Sequence, residues 1–192
     1  MIKQYLDCIA QVSNLISTAD IEALINILVN VREREGRLFI CGVGGSAGNA
    51  SHAVNDFRKL CGIEAYAPTD NVSELTARIN DDGWESAFSN WLAVSRFSKS
   101  DCLMVFSVGG GDLDKNVSVN LINAAAYCRD QGGDVIAVLG RDGGVIKDLS
   151  TRSVLIPVVV DSLVTPITEA YQAVVWHCLV SHPDLQICKT KW

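Results

Sequence analysis

Apolar residues near the N-terminus recur every three or four positions, which predicts two amphipathic helices. The first series is Ile2, Tyr5, Leu6, Ile9, Val12 and Ile16, and the second is Ile21, Leu24, Ile25, Leu28 and Val29. Thr18 and Asp20 offer capping oxygens for the second helix. We expect these helices either to cover a sheet or to pair with another subunit.

Four short apolar runs further along the chain predict buried strands, at residues 38–41, 102–106, 134–139 and 154–160. Helices are predicted after the first strand, at 72–79, at 84–97, from about 114 to 131, and at 165–180, the last with Pro166 in its first turn. Residues 61–71 are predicted to be irregular. Alternating strands and helices imply a mostly parallel sheet with helices on both faces, a three-layer α/β/α sandwich of the α/β class.

Glycine-rich turns follow three of these strands. They read Gly42-Val43-Gly44-Gly45-Ser46, Ser107-Val108-Gly109-Gly110-Gly111-Asp112 and Gly140-Arg141-Asp142-Gly143-Gly144. Glycine tolerates positive φ, and the N–H groups that open a helix bind anions, although any tight strand-to-helix connection can use glycine. We expect Ser46 at the helix start, as the N-cap or as a hydroxyl aimed at a phosphate. Ligands of such sheets bind beyond the carboxyl ends of the strands, where these turns lie.

Composition and charge narrow the class of protein. The chain has 192 residues, enough for one domain, with 48% hydrophobic and 20% charged residues. A net charge of -6 and the absence of a basic run argue against a nucleic-acid partner. The seven cysteines are scattered without a CxxC pair, which argues against a disulfide framework or a thiolate zinc site. No apolar signal core or membrane-length run is present, so we expect a cytoplasmic protein.

Four residues of two predicted helices suggest a metal site. His52 and Asp56 are four positions apart and share a helix face. Glu169 and His177 are eight positions apart, about 80° around a helix, and project toward one side. Two imidazoles and two carboxylates suit zinc or another divalent transition metal. For each residue taken alone, a surface pair, a helix cap or a core hydrogen bond is the preferred interpretation.

The chain resembles the SIS (sugar isomerase) domain proteins, and within them the phosphoheptose isomerases, which convert sedoheptulose 7-phosphate to D-glycero-D-manno-heptose 7-phosphate. The resemblance covers nearly the whole chain through the blocks CGVGGSAGNASHAVNDF, IND, FSVGGG, VIAVLGRDGG and ITEAYQAVVWHCLV. It implies a single SIS domain over residues 1–192, with the helices of residues 1–35 used for packing and oligomerisation. It also implies a homotetramer with active sites between subunits.

The resemblance further implies roles for individual residues. The metal ligands would be His52, Asp56, Glu169 and His177, with Asp56 as the base and His177 as the acid of isomerisation through an enediol. Contacts to the sugar phosphate would come from Gly44, Gly45, Ser46, Asn80, Asp81, Ser107, Gly109, Gly110, Lys115 and Ser118. On sequence alone, the polar residues at 80–82 are also a turn that caps the next helix.

This chain departs from the family pattern at its site. Asp56 stands for the family's Glu, Glu169 for its Gln and Val43 for an Asn, and the loop of residues 107–118 is longer. Glycine N–H groups and Lys115 would replace the hydroxyls that this loop lacks.

Two functions of different classes remain open. The first is a metal-dependent isomerase of a seven-carbon sugar phosphate, which supplies heptose for lipopolysaccharide, capsule or a related glycan. The second is a non-catalytic SIS module that binds a sugar phosphate or a protein partner. Two imidazoles, each with a carboxylate, favour the enzyme. A flavodoxin-like nucleotide binder is a weaker interpretation, because no acidic residue is clearly placed for a ribose.

Overall fold

The computed structural model describes residues 1–189 and shows a five-stranded sheet between two layers of helices. Its strands are β1 (Leu38–Cys41), β2 (Ala65–Tyr66), β3 (Cys102–Ser107), β4 (Asp134–Leu139) and β5 (Arg152–Leu155). Its helices are α1 (Ile2–Leu15), α2 (Thr18–Glu33), α3 (Gly45–Cys61), α4 (Val72–Asp82), α5 (Ala87–Val94), α6 (Val119–Asp130), α7 (Gly144–Leu149) and α8 (Val164–Val180). The strands lie in the order β2-β1-β3-β4-β5 and neighbours are parallel. The predicted fold class is confirmed.

The side chains of each strand alternate between two cores. Leu38 and Ile40 of β1 face the layer of α1, α2, α3 and α8, whereas Phe39 and Cys41 face the layer of α5, α6 and α7. Every residue of β1 and β3 is buried. Because both faces of the sheet are covered, these strands are apolar at successive positions, and the sequence therefore reveals them as continuous runs.

The last predicted strand and the predicted irregular stretch are both wrong in their bounds. The strand predicted at 154–160 ends at Leu155, because Pro157 has no N–H with which to continue the ladder. Residues 61–71 contain β2, in which Ala65 pairs with Leu38, followed by a 3-10 helix at Pro68–Asp70. A two-residue edge strand is too short to show a periodicity of its own.

Several predicted helix bounds and caps are also wrong. Residues 80–82 form the last turn of α4 and not a separate turn, and the helix predicted at 84–97 is the shorter α5. The helix predicted from about residue 114 begins only at Val119, because Asp112 and Val117 pair across a tight turn, with Asp112 N 3.0 Å from Val117 O. Ser17, rather than Thr18 or Asp20, caps α2 by accepting the Asp20 N–H at 3.2 Å. The short helix α7 was not expected.

A buried ion pair joins the amino ends of β1 and β3. Arg37 Nη2 lies 2.8 Å from Asp101 Oδ2, and the Asp101 side chain is 3% exposed. Asp101 also accepts the backbone N–H of Ser98 at 2.8 Å. Burial raises the pKa of Asp101, but the hydrogen bonds from Arg37 and Ser98 outweigh it, so that the pKa lies below its usual value. The pair lies at the edge of the sheet opposite the glycine turns.

Within residues 1–189, no single helix combines the length and apolar character needed to cross a bilayer, and only α1 and α2 together, bent by 67°, meet that test of length and composition.

Candidate metal centre and its surroundings

A glycine turn connects β1 to α3. Gly44 is the N-cap residue of α3 and has a φ of 63°. Ser46 is buried in the first turn of the helix. The expectation that Ser46 is the N-cap is wrong, because Gly44 takes that position and no side chain caps this helix end. The expectation that Ser46 contacts a phosphate stays a prediction, as do the substrate contacts of Gly44 and Gly45.

Helices α3 and α8 pack side by side and carry the predicted metal ligands. Asn49 Nδ2 of α3 donates to Gln172 Oε1 of α8 at 3.0 Å. Three turns further along, Cys61 Sγ lies 4.0 Å from Val180 O. Contacts that advance in the same direction along both helices show that the pair is parallel. One side of the α3–α8 seam therefore presents side chains from both helices to solvent.

His52, Asp56 and His177 form a compact cluster on this seam. Their ligand atoms all lie within 4.8 Å of one another. Asp56 Oδ2 is 3.9 Å from His52 Nε2 and 3.9 Å from His177 Nε2. The Asp56 side chain is 15% exposed, whereas the two histidines are 59% and 52% exposed. A partly buried carboxylate thus lies between two imidazoles that face solvent.

Neighbouring groups orient two members of this cluster. His177 Nδ1 lies 2.8 Å from the carbonyl oxygen of Ala173, which can only accept, so Nδ1 carries the hydrogen and Nε2 faces Asp56. Asn55 Nδ2 donates to Asp56 Oδ1 at 2.8 Å, which leaves Oδ2 toward the histidines. Supporting bonds of this kind hold ligands in place at metal centres.

The donor set and spacing of the cluster fit a divalent metal. Two nitrogens and one carboxylate oxygen match the ligands of zinc and related ions. Around a tetrahedral ion with bonds of about 2.0–2.2 Å, ligand atoms lie roughly 3.3–3.6 Å apart. The separations of 3.9 Å between Asp56 and each histidine are close to this range, and all three ligand atoms lie within 4.8 Å of one another, so the side chains would have to move closer together to hold an ion.

Glu169, the fourth predicted ligand, does not join the three-residue cluster. Its carboxylate lies against Gly45 at the start of α3, where a Cβ would be only 2.6 Å from Glu169 Oε2. The absence of a side chain at Gly45 makes this approach possible. Gln172, one turn later, is fully buried and is held by Asn49, with Nε2 unpaired among the described residues. The role of Glu169 as a ligand stays a prediction.

The structure does not bring Asn80 and Asp81 to the cluster. Both are exposed at the end of α4, where Asn80 Nδ2 donates to Asp81 Oδ1 at 2.7 Å. No hydrogen bond or ion pair within residues 1–189 connects either of them to His52, Asp56 or His177. Their predicted contact with the sugar phosphate is not tested by this arrangement.

The long loop between β3 and α6 uses its polar groups internally. Ser107 Oγ accepts the N–H of Gly110 at 3.0 Å. Lys115 Nζ lies 2.7 Å from Asp112 Oδ2, and this hydrogen bond is the main reason why the pKa of Asp112 is lowered and that of Lys115 is raised. Ser118 precedes α6 with a φ of 54° and makes no side-chain cap. Ser107 and Lys115, two of the residues expected to bind phosphate, therefore already form hydrogen bonds within the loop.

A cleft of about 1130 Å³ separates this loop from the segment after β4. Its lining includes Gly109 and Lys115 on one side and Arg141 and Lys147 on the other, together with several aspartates. The His52 cluster does not line this cleft. The candidate phosphate loop and the candidate metal centre are consequently separate features of one subunit.

Sequence reasoning missed the groups that orient the cluster. Asn55 was adjacent to a predicted ligand, but its side chain has many possible acceptors in the chain. The carbonyl of Ala173 carries no side-chain signal. Trp176, whose ring contacts both histidine rings, has no sequence signal that distinguishes it from a core residue of α8. Local spacing predicts which residues share a face, and tertiary packing decides what supports them.

Comparisons with known proteins agree with this architecture. The SIS domain family matches residues 3–140. The chain is 34% identical over 154 residues to the lincomycin biosynthesis protein LmbN of Streptomyces lincolnensis, which covers 77% of the chain and 56% of that protein. It is 32% identical over 148 residues to a phosphoheptose isomerase of Chlorobium phaeobacteroides, which covers 73% of the chain and 62% of that protein. The chain thus spans less than two thirds of the length of either relative.

A solved structure supports the fold independently of these sequence matches. The phosphoheptose isomerase of Neisseria gonorrhoeae superimposes with a TM-score of 0.81 at 22% identity, over 93% of this chain and 95% of the other. At that identity the likeness concerns the fold. Because the family match runs from α1 through β4 and the observed fold agrees with it, the chain belongs to the SIS domain family.

Proposed function

We propose that the protein is a ketose-aldose isomerase that converts sedoheptulose 7-phosphate to D-glycero-D-manno-heptose 7-phosphate. The observation that carries this proposal is the His52, Asp56 and His177 cluster, which places a carboxylate within 3.9 Å of two imidazoles. Similarity to a protein named phosphoheptose isomerase supports the choice of substrate. The isomerisation needs proton transfers at two adjacent carbons, for which a carboxylate and an imidazole on neighbouring helices are suitable groups.

Asp56 and His177 take the proton-transfer roles. Asp56 removes the proton from C1 of the ketose, exchanges it with solvent while the enediol is bound, and delivers a proton from its carboxyl group to C2 of the product. His177 protonates O2 and takes the proton from O1, so that atoms and charge balance over the enediol. The bond from Asn55 keeps Oδ2 of Asp56 on the reacting side, and the bond to Ala173 leaves Nε2 as the working nitrogen of His177.

His52, Asp56 and His177 would hold a divalent metal, with Glu169 as the candidate fourth ligand and zinc as the candidate ion. When bound, the metal supplies positive charge that stabilises oxyanion character on the substrate. His177 Nε2 can hold a proton or a metal ion, but not both at once, because Nδ1 donates to Ala173. The proposed acid and ligand roles of His177 are therefore separable by varying the zinc supply.

Incubation with sedoheptulose 7-phosphate in D2O, with and without zinc and followed by NMR, tests the proposal. We expect a heptose 7-phosphate with deuterium at C2, formed by the wild-type protein and lost in His177→Ala. Cys178→Ala is the matched control, because Cys178 is the next exposed residue on α8 and lies outside the cluster. Well-folded protein that gives neither product nor exchange, both with and without zinc, contradicts the assigned reaction.

A non-catalytic SIS module is the second candidate. The observation that favours it is the position of Glu169, the predicted fourth ligand, which lies against Gly45 and outside the three-residue cluster. Such a module would bind the sugar phosphate without deuterium exchange. Saturable binding of sedoheptulose 7-phosphate, measured by calorimetry, combined with absent exchange in D2O, would establish this function in place of the isomerase.

We further propose a cytoplasmic homotetramer in which the helices of residues 1–35 contact other subunits. Apolar side chains of α1 remain exposed, with Ile2 at 81%, Leu6 at 59% and Leu15 at 63%. Burial of these side chains against another copy would remove apolar surface from water. The separation between the His52 cluster and the loop after β3 supports active sites completed by a second subunit. Light scattering coupled to gel filtration tests the assembly.

A further inference from the structure

The indole of Trp176 lies beneath both histidines of the cluster. Its ring centroid is 3.5 Å from that of His177, with an interplanar angle of 31°, and 4.7 Å from that of His52, with an angle of 61°. Trp176 itself is fully buried. We infer that Trp176 is a positioning residue of the candidate metal centre: one rigid buried ring sets the orientation of both ligand imidazoles. This inference rests on the proposed role of the cluster as a metal site.

His52 depends on this contact more than His177 does. The Nδ1 atom of His177 is fixed by Ala173 O, whereas His52 makes no hydrogen bond within the described part of the chain. The His52 side chain is 59% exposed, and Asp56 Oδ2, at 3.9 Å from His52 Nε2, is too far away for a hydrogen bond that would fix the rotamer. The edge contact with Trp176 therefore fixes the orientation of the His52 ring, as the hydrogen bond to the Ala173 carbonyl fixes that of the His177 ring.

An indole at this position destabilises the core more than a ring without a polar atom would. Trp176 Nε1 is buried and has no hydrogen-bond partner among residues 1–189. A buried donor without a partner destabilises the folded state because it loses its hydrogen bonds to water, and a phenylalanine ring would avoid that loss. If Trp176 only filled the core, Trp176→Phe would leave metal binding unchanged and so would Trp176→Leu. If the ring positions the imidazoles, the two variants differ.

Metal affinity provides a test that does not depend on turnover. Zinc affinity is measured by competition with a chromophoric chelator, and the visible spectrum of the Co²⁺-loaded protein reports ligand geometry. The variants are Trp176→Leu, which removes the ring, and Trp176→Phe, which keeps one. Trp84→Leu is the matched control, because Trp84 packs on Phe88 in a different part of the molecule.

We expect Trp176→Leu to weaken zinc binding about 10- to 100-fold, as loss of ligand support does elsewhere, and to alter the Co²⁺ spectrum. Trp176→Phe should restore most of the affinity and the wild-type spectrum, while Trp84→Leu changes neither. Equal zinc affinity and identical Co²⁺ spectra in all four proteins would overturn the inference. A wild-type protein that binds no Co²⁺ would overturn the metal site itself, which distinguishes the two failures.

A second measurement tests the inference even if Trp176→Leu does not fold, because it uses only the wild-type protein and Trp176→Phe. In the wild-type protein, bound Co²⁺ should quench the emission of an indole in contact with two of its ligands, and Trp176→Phe should remove that quenched component. Quenching of the same size in Trp176→Phe would show that Trp176 is not the indole next to the metal, against the inference.

Discussion

The carboxylate of Glu169 occupies the space that a Cβ of Gly45 would take, so that α8 contacts the first turn of α3 directly. Gly48, one turn later on α3, has open space where a Cβ would be. Neither glycine has a positive φ. The pair therefore allows the effect of the Glu169 contact to be separated from the general effect of replacing glycine in a helix.

Gly48→Ala should raise the free energy of unfolding by about 0.5–1 kcal/mol, because alanine loses less backbone entropy in a helix. Gly45→Ala should raise the free energy of unfolding by less than Gly48→Ala does, because the new Cβ would lie 2.6 Å from Glu169 Oε2 and displace the carboxylate. Urea unfolding of both variants measures the difference. Combining Gly45→Ala with Glu169→Ala should recover the missing stability, and an additive double mutant would contradict the contact.

Asn55→Ala should weaken zinc binding about 10-fold, because Asp56 would lose the bond that turns Oδ2 toward the histidines. Asn14→Ala, which removes an exposed asparagine of α1, is the control. Competition titration with a chelator measures both affinities. If Asn55→Ala binds zinc as tightly as Asn14→Ala does, Asn55 does not orient the ligand.

Asp101→Asn should lower the free energy of unfolding by about 3 kcal/mol, because it leaves the Arg37 guanidinium without its buried partner. The exposed pair of Arg34 and Asp134, 2.7 Å apart, is the comparison, and Arg34→Ala should cost less than about 1 kcal/mol. Similar losses in the two variants would show that burial does not strengthen the Arg37 pair.

The same pair predicts a pH dependence with a definite sign. The pKa of Asp101 is lower in the folded protein, so the folded state binds its proton less readily than the unfolded chain does. The stability from Asp101 is therefore fully present above the unfolded pKa of about 3.9 and is lost as pH falls through the folded pKa. The free energy of unfolding, measured from neutral pH to below the unfolded pKa of Asp101, should decline more steeply with falling pH for the wild type than for Asp101→Asn.

Lys115 and Asp112 offer a test of the candidate phosphate loop. Asp112→Asn should tighten binding of inorganic phosphate, because it frees the Lys115 ammonium from its partner at 2.7 Å. Lys115→Met should weaken binding, and both effects should shrink at high salt. Calorimetry with inorganic phosphate measures the three affinities. Equal affinities in wild type and both variants would place phosphate binding elsewhere.

The sequence predicted those features that local spacing determines. Strands β1 and β4 were predicted with their observed bounds, because each is an apolar run buried on both faces. The partnership of His52 with Asp56 followed from helical spacing. His177 approaches them only because α3 and α8 pack in parallel. The sequence grouped it with them through the type of donor and the family resemblance, and not through a contact that could be derived.

The features that the sequence did not predict depend on contacts between distant segments. The edge strand β2 forms because Ala65 and Tyr66 pair with Leu38 and Phe39 of β1. The start of α6 is delayed because Asp112 pairs with Val117, a contact that helical spacing alone does not predict. Glu169 lies at Gly45 and not at the cluster, because the packing of α8 on α3 brings its carboxylate there and Gly45 has no side chain in the way.

The seam between α3 and α8 also determines when the three-residue cluster can assemble during synthesis of the chain. Asn49 and Gln172, which join the two helices, are 123 positions apart along the chain. His52 and Asp56 are made early in synthesis, whereas His177 belongs to the last helix of the described residues. A nascent chain holds only part of the ligand set until α8 docks. A metal ion held by the three residues, as proposed above, would therefore join α3 to α8, and its retention would report that α8 is in place.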